Sequence, residues 1–531
     1  MRTLLLPLTL LAATACAQPT TTNDPAATDA RPAFAPLNAP QLAAALDRLL
    51  DTHETAKRTN VTLVVRDLDT GKPLYDRGGD KLLTPASNLK IYTAAAAIDL
   101  LGPEYTWTTG IATRRTQPSE RTVVYVLGGA DPMLDTAELE DLVDRYVEGA
   151  ELESAVWGVF VRSPPGWWEA PLKGPGWMWD DDPDYYNMSI RGTMLNFNVT
   201  KVRVSPDGVL SDNPLHELVT GNSPARRVSL RVDPPADYPP HDVNAFPTGL
   251  NNALVQDDPE IPLSITRRPF EHPWLIRGNM KPDDPAIERE MTVHDPAKWI
   301  GSVVGAMLEA RGVEVERDEN GLMRTAEAPY EMERSSRLEP VARVEGKPLA
   351  DAVQHFLRVS ENAVGEMLLL HLAEKFAPDG EVSWPAGATV ISDWLVNEAG
   401  VDPESFRLVD GSGLSRYNLI SANSSIQLLD FMDDHEHFAV FFDGLPVYDV
   451  QIPGQGRWGD VPLAEFENQR VFAKPGGMSG VNTISGYLDT LDGRRLAFSL
   501  LANGYLGSSA PVRDLRGKVW STLVRYRATE Q

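Results

Sequence analysis

A single cysteine, Cys16, stands in the sequence, so no disulfide can form within the chain and the fold must rest on its core. Two hydrolytic patterns are missing as well: there is no H-E-x-x-H pair to hold a metal and no G-x-S-x-G turn. His435-Glu436-His437, after Asp433-Asp434, reads as a solvated loop, and neither a metal nor a cofactor is expected. Positive charge is scarce, with 49 lysines and arginines against 75 acidic residues and a net charge of −26. That balance argues against nucleic acid or an anionic membrane surface as a partner. Apolar runs of membrane-spanning length are absent. The run at residues 4–15, after Met1-Arg2-Thr3, is too short to span and fits a signal peptide over residues 1–16.

Cys16 closes that run. Ala13-Thr14-Ala15-Cys16 resembles a bacterial lipoprotein cleavage box with alanine in place of the usual leucine, while cleavage after Ala15 or Ala17 fits an A-x-A pattern. Either route exports the protein to the periplasm or cell envelope. Lipidation of Cys16, the one expected route to a membrane, would make it an outer-membrane lipoprotein. Oligomeric state is not legible.

The chain is long enough for two to four domains. Residues 17–38, rich in Ala, Pro, Thr and Asp, read as a flexible linker. Residues 41–51 have helical periodicity, and 61–67 with 74–75 read as a strand, a turn and a second strand. Between about 103 and 340 the texture changes to short strands and many prolines. Strands are expected at 123–127 and 156–161, helices at 135–146 and 297–311, and an all-β stretch at 209–273. From about 348 helix returns, with an apolar stripe over 349–375 that Ser360-Glu361-Asn362 interrupts. A helix over 424–433, strands at 470–474 and 496–501 and a final helix at 511–526 complete the reading. The expected domains are 39–102 joined with 341–531, and an inserted 103–340.

Chemistry concentrates at Pro85-Ala86-Ser87-Asn88-Leu89-Lys90. Pro85 suits a first helical position and Gly102-Pro103 a stop, so one helix is expected over 85–101. Ser87 then lies in the first turn, where free N–H groups favour developing negative charge. Lys90, three residues on, shares its face. The pair reads as a nucleophile and its base, or else as a helix cap beside a solvated lysine. Two further pieces follow in order, an S-x-N and Lys474-Pro475-Gly476. Three S-x-N tripeptides compete: Ser211-Asp212-Asn213 lies among turn residues, and Ser421-Ala422-Asn423 can cap the helix after it. Ser360-Glu361-Asn362 is preferred, because polar groups inside an apolar stripe need partners or a task. Lys474 reads as a strand lysine, with Gly476 allowing close approach of another backbone.

That ordered set resembles the serine acyltransferase elements of penicillin-binding proteins and β-lactamases. With Gly128-Gly129-Ala130-Asp131-Pro132, Trp177-x-Trp179-Asp180-Asp181 and Asp410-Gly411-Ser412-Gly413-Leu414-Ser415-Arg416, the chain is similar to the class C low-molecular-mass penicillin-binding proteins. These are D-alanyl-D-alanine carboxypeptidases/endopeptidases with domains nested inside the penicillin-binding domain. The resemblance implies an α/β (α+β) fold, with an antiparallel sheet flanked by helices plus inserted mostly-β domains. It also implies peptidoglycan stem peptides as substrate and covalent inhibition by β-lactams.

The same resemblance implies the roles. Ser87 attacks, neutral Lys90 takes its proton, and Ser360 with Lys474 returns a proton to the departing amine. Asn362 holds a substrate amide, Gly476 sits beside the substrate, and the N–H groups of Ser87 and Gly477 form an oxyanion hole. Trp177, Asp180, Tyr185, Leu414, Arg416, Met478 and Ser479 line a pocket for the stem-peptide side chain. From the residues alone, the aromatic and acidic segments 165–168 and 175–186 read first as a structural loop with solvated carboxylates, the functional alternatives being a ligand-facing wall and, after it, an oxygen-rich Ca²⁺ site. One departure stands out: Lys474-Pro475-Gly476-Gly477 replaces the usual Lys-Thr-Gly-Thr. A catalytically weak or inactive wall-binding protein is therefore the alternative reading.

Overall fold

A computed structural model of the chain describes residues 35–528, except 117–119, 207–225, 228, 235–252, 256–263, 268–273, 329–337, 451, 454–459, 462–469 and the single residues 153, 168, 183, 282 and 320. The expected signal peptide, Cys16, Ser211-Asp212-Asn213 and most of the 209–273 stretch lie outside the described residues.

Both halves of the sequence contribute to one sheet. Its strands run in the order Val447–Asp449, Arg470–Met478, Val481–Asp489, Arg495–Asn503, Asn60–Asp67 and Lys72–Arg77, all antiparallel. Alternation of side chains along each strand feeds two cores. Leu63 and Val65 pack with Leu42, Leu46 and Val519 from the helices Ala39–Thr52 and Ala510–Leu523. Val64, on the other face, joins the core of Lys90–Leu101, Leu349–Val359, Asn362–Phe376 and Ala422–Asp433. Sheet between helices is the expected arrangement.

A third core lies in the middle of the chain, in the region expected to be inserted, around strands Thr325–Glu327, Val156–Arg162, Arg121–Leu127, Thr108–Thr116 and Ala342–Glu345 in that order. Helices Thr136–Gly149 and Pro296–Ala310 pack on it. Strands outnumber helices among the described elements of this region, as expected, but this core mixes the two. Arg121–Leu127 pairs parallel with Val156–Arg162, and parallel neighbours need a crossover, here Thr136–Gly149. The boundary at 341 also falls one strand early, since Ala342–Glu345 pairs with the inserted strand Thr108–Thr116.

Two local differences matter for the site. The expected single helix over 85–101 begins as a 3₁₀ turn, Ala86–Leu89, and becomes α-helical at Lys90. The interrupted stripe is two helices, Leu349–Val359 and Asn362–Phe376, with Ser360 left-handed between them at φ 68°.

Candidate active site

Ser87 is the one residue from Pro85 to Ile98 that is not fully buried. Its turn is clamped to the sheet from both ends. Thr483 Oγ1 donates to Pro85 O (2.5 Å), Asn88 Nδ2 donates to Lys474 O (2.6 Å) and Ser485 Oγ donates to Asn88 Oδ1 (3.0 Å). The turn also presses so closely on Gly476 that a Cβ there would lie 2.7 Å from Asn88 N. Ala86 sits at φ 49°, an uncommon conformation for alanine, with its carbonyl against Gly413.

Lys90 is fully buried, and its Nζ lies 3.2 Å from Ser87 Oγ, 2.6 Å from Asn362 Oδ1 and 2.7 Å from Ser412 O. Two of these partners can only accept. When Lys90 is a neutral amine its two protons serve them, and its lone pair is left for the Ser87 hydroxyl. Burial lowers its pKa to about 8, against the opposing pull of Asp410, Glu366 and Glu361. Lys474 is buried too. Burial first, and then the charge of Lys90, hold its pKa well below the usual lysine range.

The S-x-N tripeptide closes the other side. Glu361 caps the helix Asn362–Phe376, accepting from Ala363 N at 3.3 Å. This aims Asn362 at Lys90, and Asn362 Nδ2 donates to Tyr186 O at 2.9 Å, tying the inserted region to the site. The competing Ser421 is a helix cap whose side chain accepts from Ser424 N at 2.9 Å.

The third wall is the strand Arg470–Met478. Ala473 N donates to Pro446 O, on the side away from Val481–Asp489. N–H direction repeats every second residue, so the nitrogens of Pro475 and Gly477 face that same side, beyond the residues paired with Val447–Asp449. Pro475 therefore leaves the register with Val481–Asp489 unbroken from Val471 to Met478, and Gly477 presents a free donor at the sheet edge.

These walls enclose a cleft of about 440 Å³ lined by Ser87, Ser360, Asn362, Gly477 and the expected Asp180, Tyr185, Leu414, Arg416, Met478 and Ser479. The Arg416 guanidinium donates to Ser479 O at 3.4 Å. Trp177 is not among the lining residues. Its indole N–H donates to the buried Asp410 (3.0 Å), behind the wall, and Met178 lines the cleft instead. The segment is neither purely structural nor wholly ligand-facing.

Sequence reasoning missed the support behind Lys90. Glu366, fully buried, accepts from Trp384 Nε1 (2.7 Å), Gly411 N (3.2 Å) and Ser412 N (2.9 Å), fixing the carbonyl that holds Lys90. Burial and the nearby Asp410 raise its pKa to about 8. A signal existed, because Glu366 follows Asn362 by one helical turn inside the apolar stripe. Tyr186, Asp181 and Glu361 also line the cleft without having been singled out. His435 is not solvated as expected, since its Nε2 meets Asp99 Oδ1 at 2.9 Å.

Residues 42–220 and 253–521 match the D-Ala-D-Ala carboxypeptidase 3 (S13) family. A D-alanyl-D-alanine carboxypeptidase of Actinomadura sp. (strain R39) is 28% identical over 464 residues, 84% of this chain and 78% of the relative. The crystal structure of penicillin binding protein 4 (dacB) from Haemophilus influenzae covers 91% of this chain and 99% of its own, with 18% identity and a TM-score of 0.68. The same Haemophilus influenzae protein complexed with a β-lactam aligns with a TM-score of 0.65 and 17% identity, over 91% of this chain and 99% of its own.

Proposed function

Because this chain belongs to the D-Ala-D-Ala carboxypeptidase 3 (S13) family, we propose that its serine DD-peptidase chemistry runs through an acyl-enzyme on Ser87, formed with peptidoglycan stem peptides. One observation carries the assignment of residues. The only partly exposed hydroxyl of a buried helix start lies 3.2 Å from a buried lysine whose other partners are acceptors.

Ser87 Oγ attacks the carbonyl between two D-alanyl residues as Lys90 takes its proton. The tetrahedral oxyanion is held by the N–H groups of Ser87 and Gly477, a donor typically worth about 2.7–4 kcal/mol. The C–N bond breaks, and Ser360 with Lys474 passes a proton to the departing amine. Lys90 resupplies that relay with the proton it took and is neutral again; it then takes a proton from the water that attacks the ester and returns it to Ser87 Oγ as the ester C–O bond breaks. Asn362 serves a double role, orienting Lys90 and meeting the substrate amide. Asp180 and Arg416, of opposite charge in one cleft, suit a zwitterionic side-chain end on the stem peptide. Met178 takes the place first given to Trp177.

Nothing in the site favours the binding-only alternative. We place the enzyme in the cell envelope, with β-lactams as covalent inhibitors. Among the described residues no helix is long and apolar enough to cross a membrane, so attachment would fall to Cys16. The residues from about 103 to 345 are read as an insertion, supported by their separate core, which includes the strand Ala342–Glu345. The test is D-alanine release from a peptide ending in D-Ala-D-Ala. Ser87→Ala is expected to lower it roughly a thousandfold or more, and retained activity would remove Ser87 from the mechanism.

A further inference from the structure

Asp410 has no part in the steps above, although it is buried and touches both the loop that holds the base and the wall of the cleft. Four N–H groups donate to it, two to each oxygen. Oδ1 accepts from Gly413 N and Asn418 Nδ2, both at 2.8 Å, and Oδ2 accepts from Ser415 N (2.5 Å) and Trp177 Nε1 (3.0 Å). The Asn418 amide cannot be turned round, because its Oδ1 already accepts from Val409 N (2.7 Å) and Asp410 N (3.3 Å). With donors on both oxygens, Asp410 serves as an acceptor-only carboxylate.

Two of these donors lead away from it. Gly413 N belongs to the same peptide group as Ser412 O, which lies 2.7 Å from Lys90 Nζ. One peptide group therefore connects the carboxylate to the amine. A peptide whose N–H meets an anion carries more negative charge on its oxygen, and that favours the protonated amine. The peptide is pinned in place, since a Cβ at Gly413 would collide with Ala86 O of the nucleophile turn. Among the carboxylates that oppose burial at Lys90, Asp410 pulls hardest, ahead of Glu366 and Glu361, and the facing cation is Lys474. Glu366 acts on the preceding peptide, accepting from Ser412 N, and the oxygen of that peptide, Gly411 O, serves Thr93 Oγ1 (2.7 Å) instead. The other donor, Trp177, stands next to Met178, which lines the cleft, and Leu414 and Arg416 line it from the loop that Asp410 organises.

We infer that Asp410 is a positioning residue for the base and that Trp177 trims its charge, so that the proton affinity of Lys90 depends on the wall of the side-chain pocket. The inference rests on the peptidase reading above, in which neutral Lys90 activates Ser87, and adds what governs that neutrality. The indole N–H draws charge from Asp410 Oδ2 and leaves less to polarise the Ser412–Gly413 peptide. Its loss raises the proton affinity of Lys90. Loss of the carboxylate charge lowers it.

The experiment is the pH profile of β-lactam acylation, followed by stopped flow, in the wild-type chain, Trp177→Phe and Asp410→Asn. The midpoint is expected to rise by roughly half a pH unit in Trp177→Phe and to fall by about one pH unit in Asp410→Asn. A merely structural role would slow acylation at every pH and leave the midpoint in place. Trp177→Phe keeps a ring in the same space, so it decides the matter should Asp410→Asn fail to fold. In either variant, a midpoint that stays in place or moves the other way overturns the inference. Failure of the wild-type chain to form a penicillin adduct instead overturns the peptidase reading, and the inference with it.

Discussion

At Lys90 burial and charge oppose each other, and the balance decides how much free base exists. An ordinary lysine, with a pKa near 10.4, would be neutral in roughly one molecule in 2,500 at pH 7. At a pKa of about 8 that becomes roughly one in ten. The reactive form is the deprotonated one, and the site lowers its pKa. Activity is therefore present above about pH 8 and lost as pH falls through that value. The acylation rate with a β-lactam, followed by stopped flow, should rise about tenfold per pH unit below 8 and level above it. A profile flat from pH 6 to 9 would assign the base elsewhere.

Gly477 gives a second residue-scale prediction. A Cβ there would meet nothing within 4 Å, so threonine fits without strain. Restoring a hydroxyl beside a substrate carboxylate adds a charge-assisted hydrogen bond of about 1.5–3 kcal/mol. Carboxypeptidase kcat/KM of Gly477→Thr should rise roughly tenfold, with cross-link cleavage less affected. An unchanged kcat/KM would mean that the lost hydroxyl does not limit this enzyme.

At the scale of elements, the nucleophile turn is positioned by close approach of the strand Arg470–Met478. A Cβ at Gly476 would collide with Pro85 O and Asn88 N, whereas one at the next residue is free. Gly476→Ala should cost about 1–3 kcal/mol in stability and slow penicillin acylation, while Gly477→Ala leaves the melting temperature alone. Equal melting temperatures for the two variants would show that the strand and turn are not locked.

Elements were also where sequence reading ran to its limit. That Lys90 Nζ would meet Ser87 and Asn362 was legible from the three-residue spacing at a helix start and from the polar break in an apolar stripe. The break at Ser360 showed as polar residues in an apolar stripe, but its left-handed backbone did not, because φ leaves no trace in residue type. The 3₁₀ start was hidden likewise, since Pro85 suits either helix. Trp177 was misplaced by one residue. In a loop without periodicity nothing in the sequence shows which aromatic turns inward, and the indole N–H went to Asp410.

On the scale of the whole molecule, the two ends of the chain meet in one sheet while the middle builds a separate core and returns one wall of the cleft. The antiparallel sheet was readable from alternating strands, and a separate core in the middle of the chain from a change of texture. Its parallel pairing was not, because partner choice between distant strands is set by tertiary packing. The wall matters for function: Met178, Asp181 and Tyr186 come from the insertion, and Tyr186 O fixes Asn362. The Tyr186 end is a backbone carbonyl, so the tether is cut from the other end: Asn362→Ala removes both the donor to Tyr186 O and the acceptor for Lys90 Nζ. It should lower acylation by at least roughly a hundredfold with little change in melting temperature, and wild-type acylation would contradict the tether.

The most direct measurement is intact-mass and peptide-mass analysis after brief exposure to penicillin. The account predicts one adduct per chain, located on Ser87, absent from Ser87→Ala and nearly absent from Lys90→Ala. An adduct on any other residue, or an unlabelled wild-type chain, would contradict it.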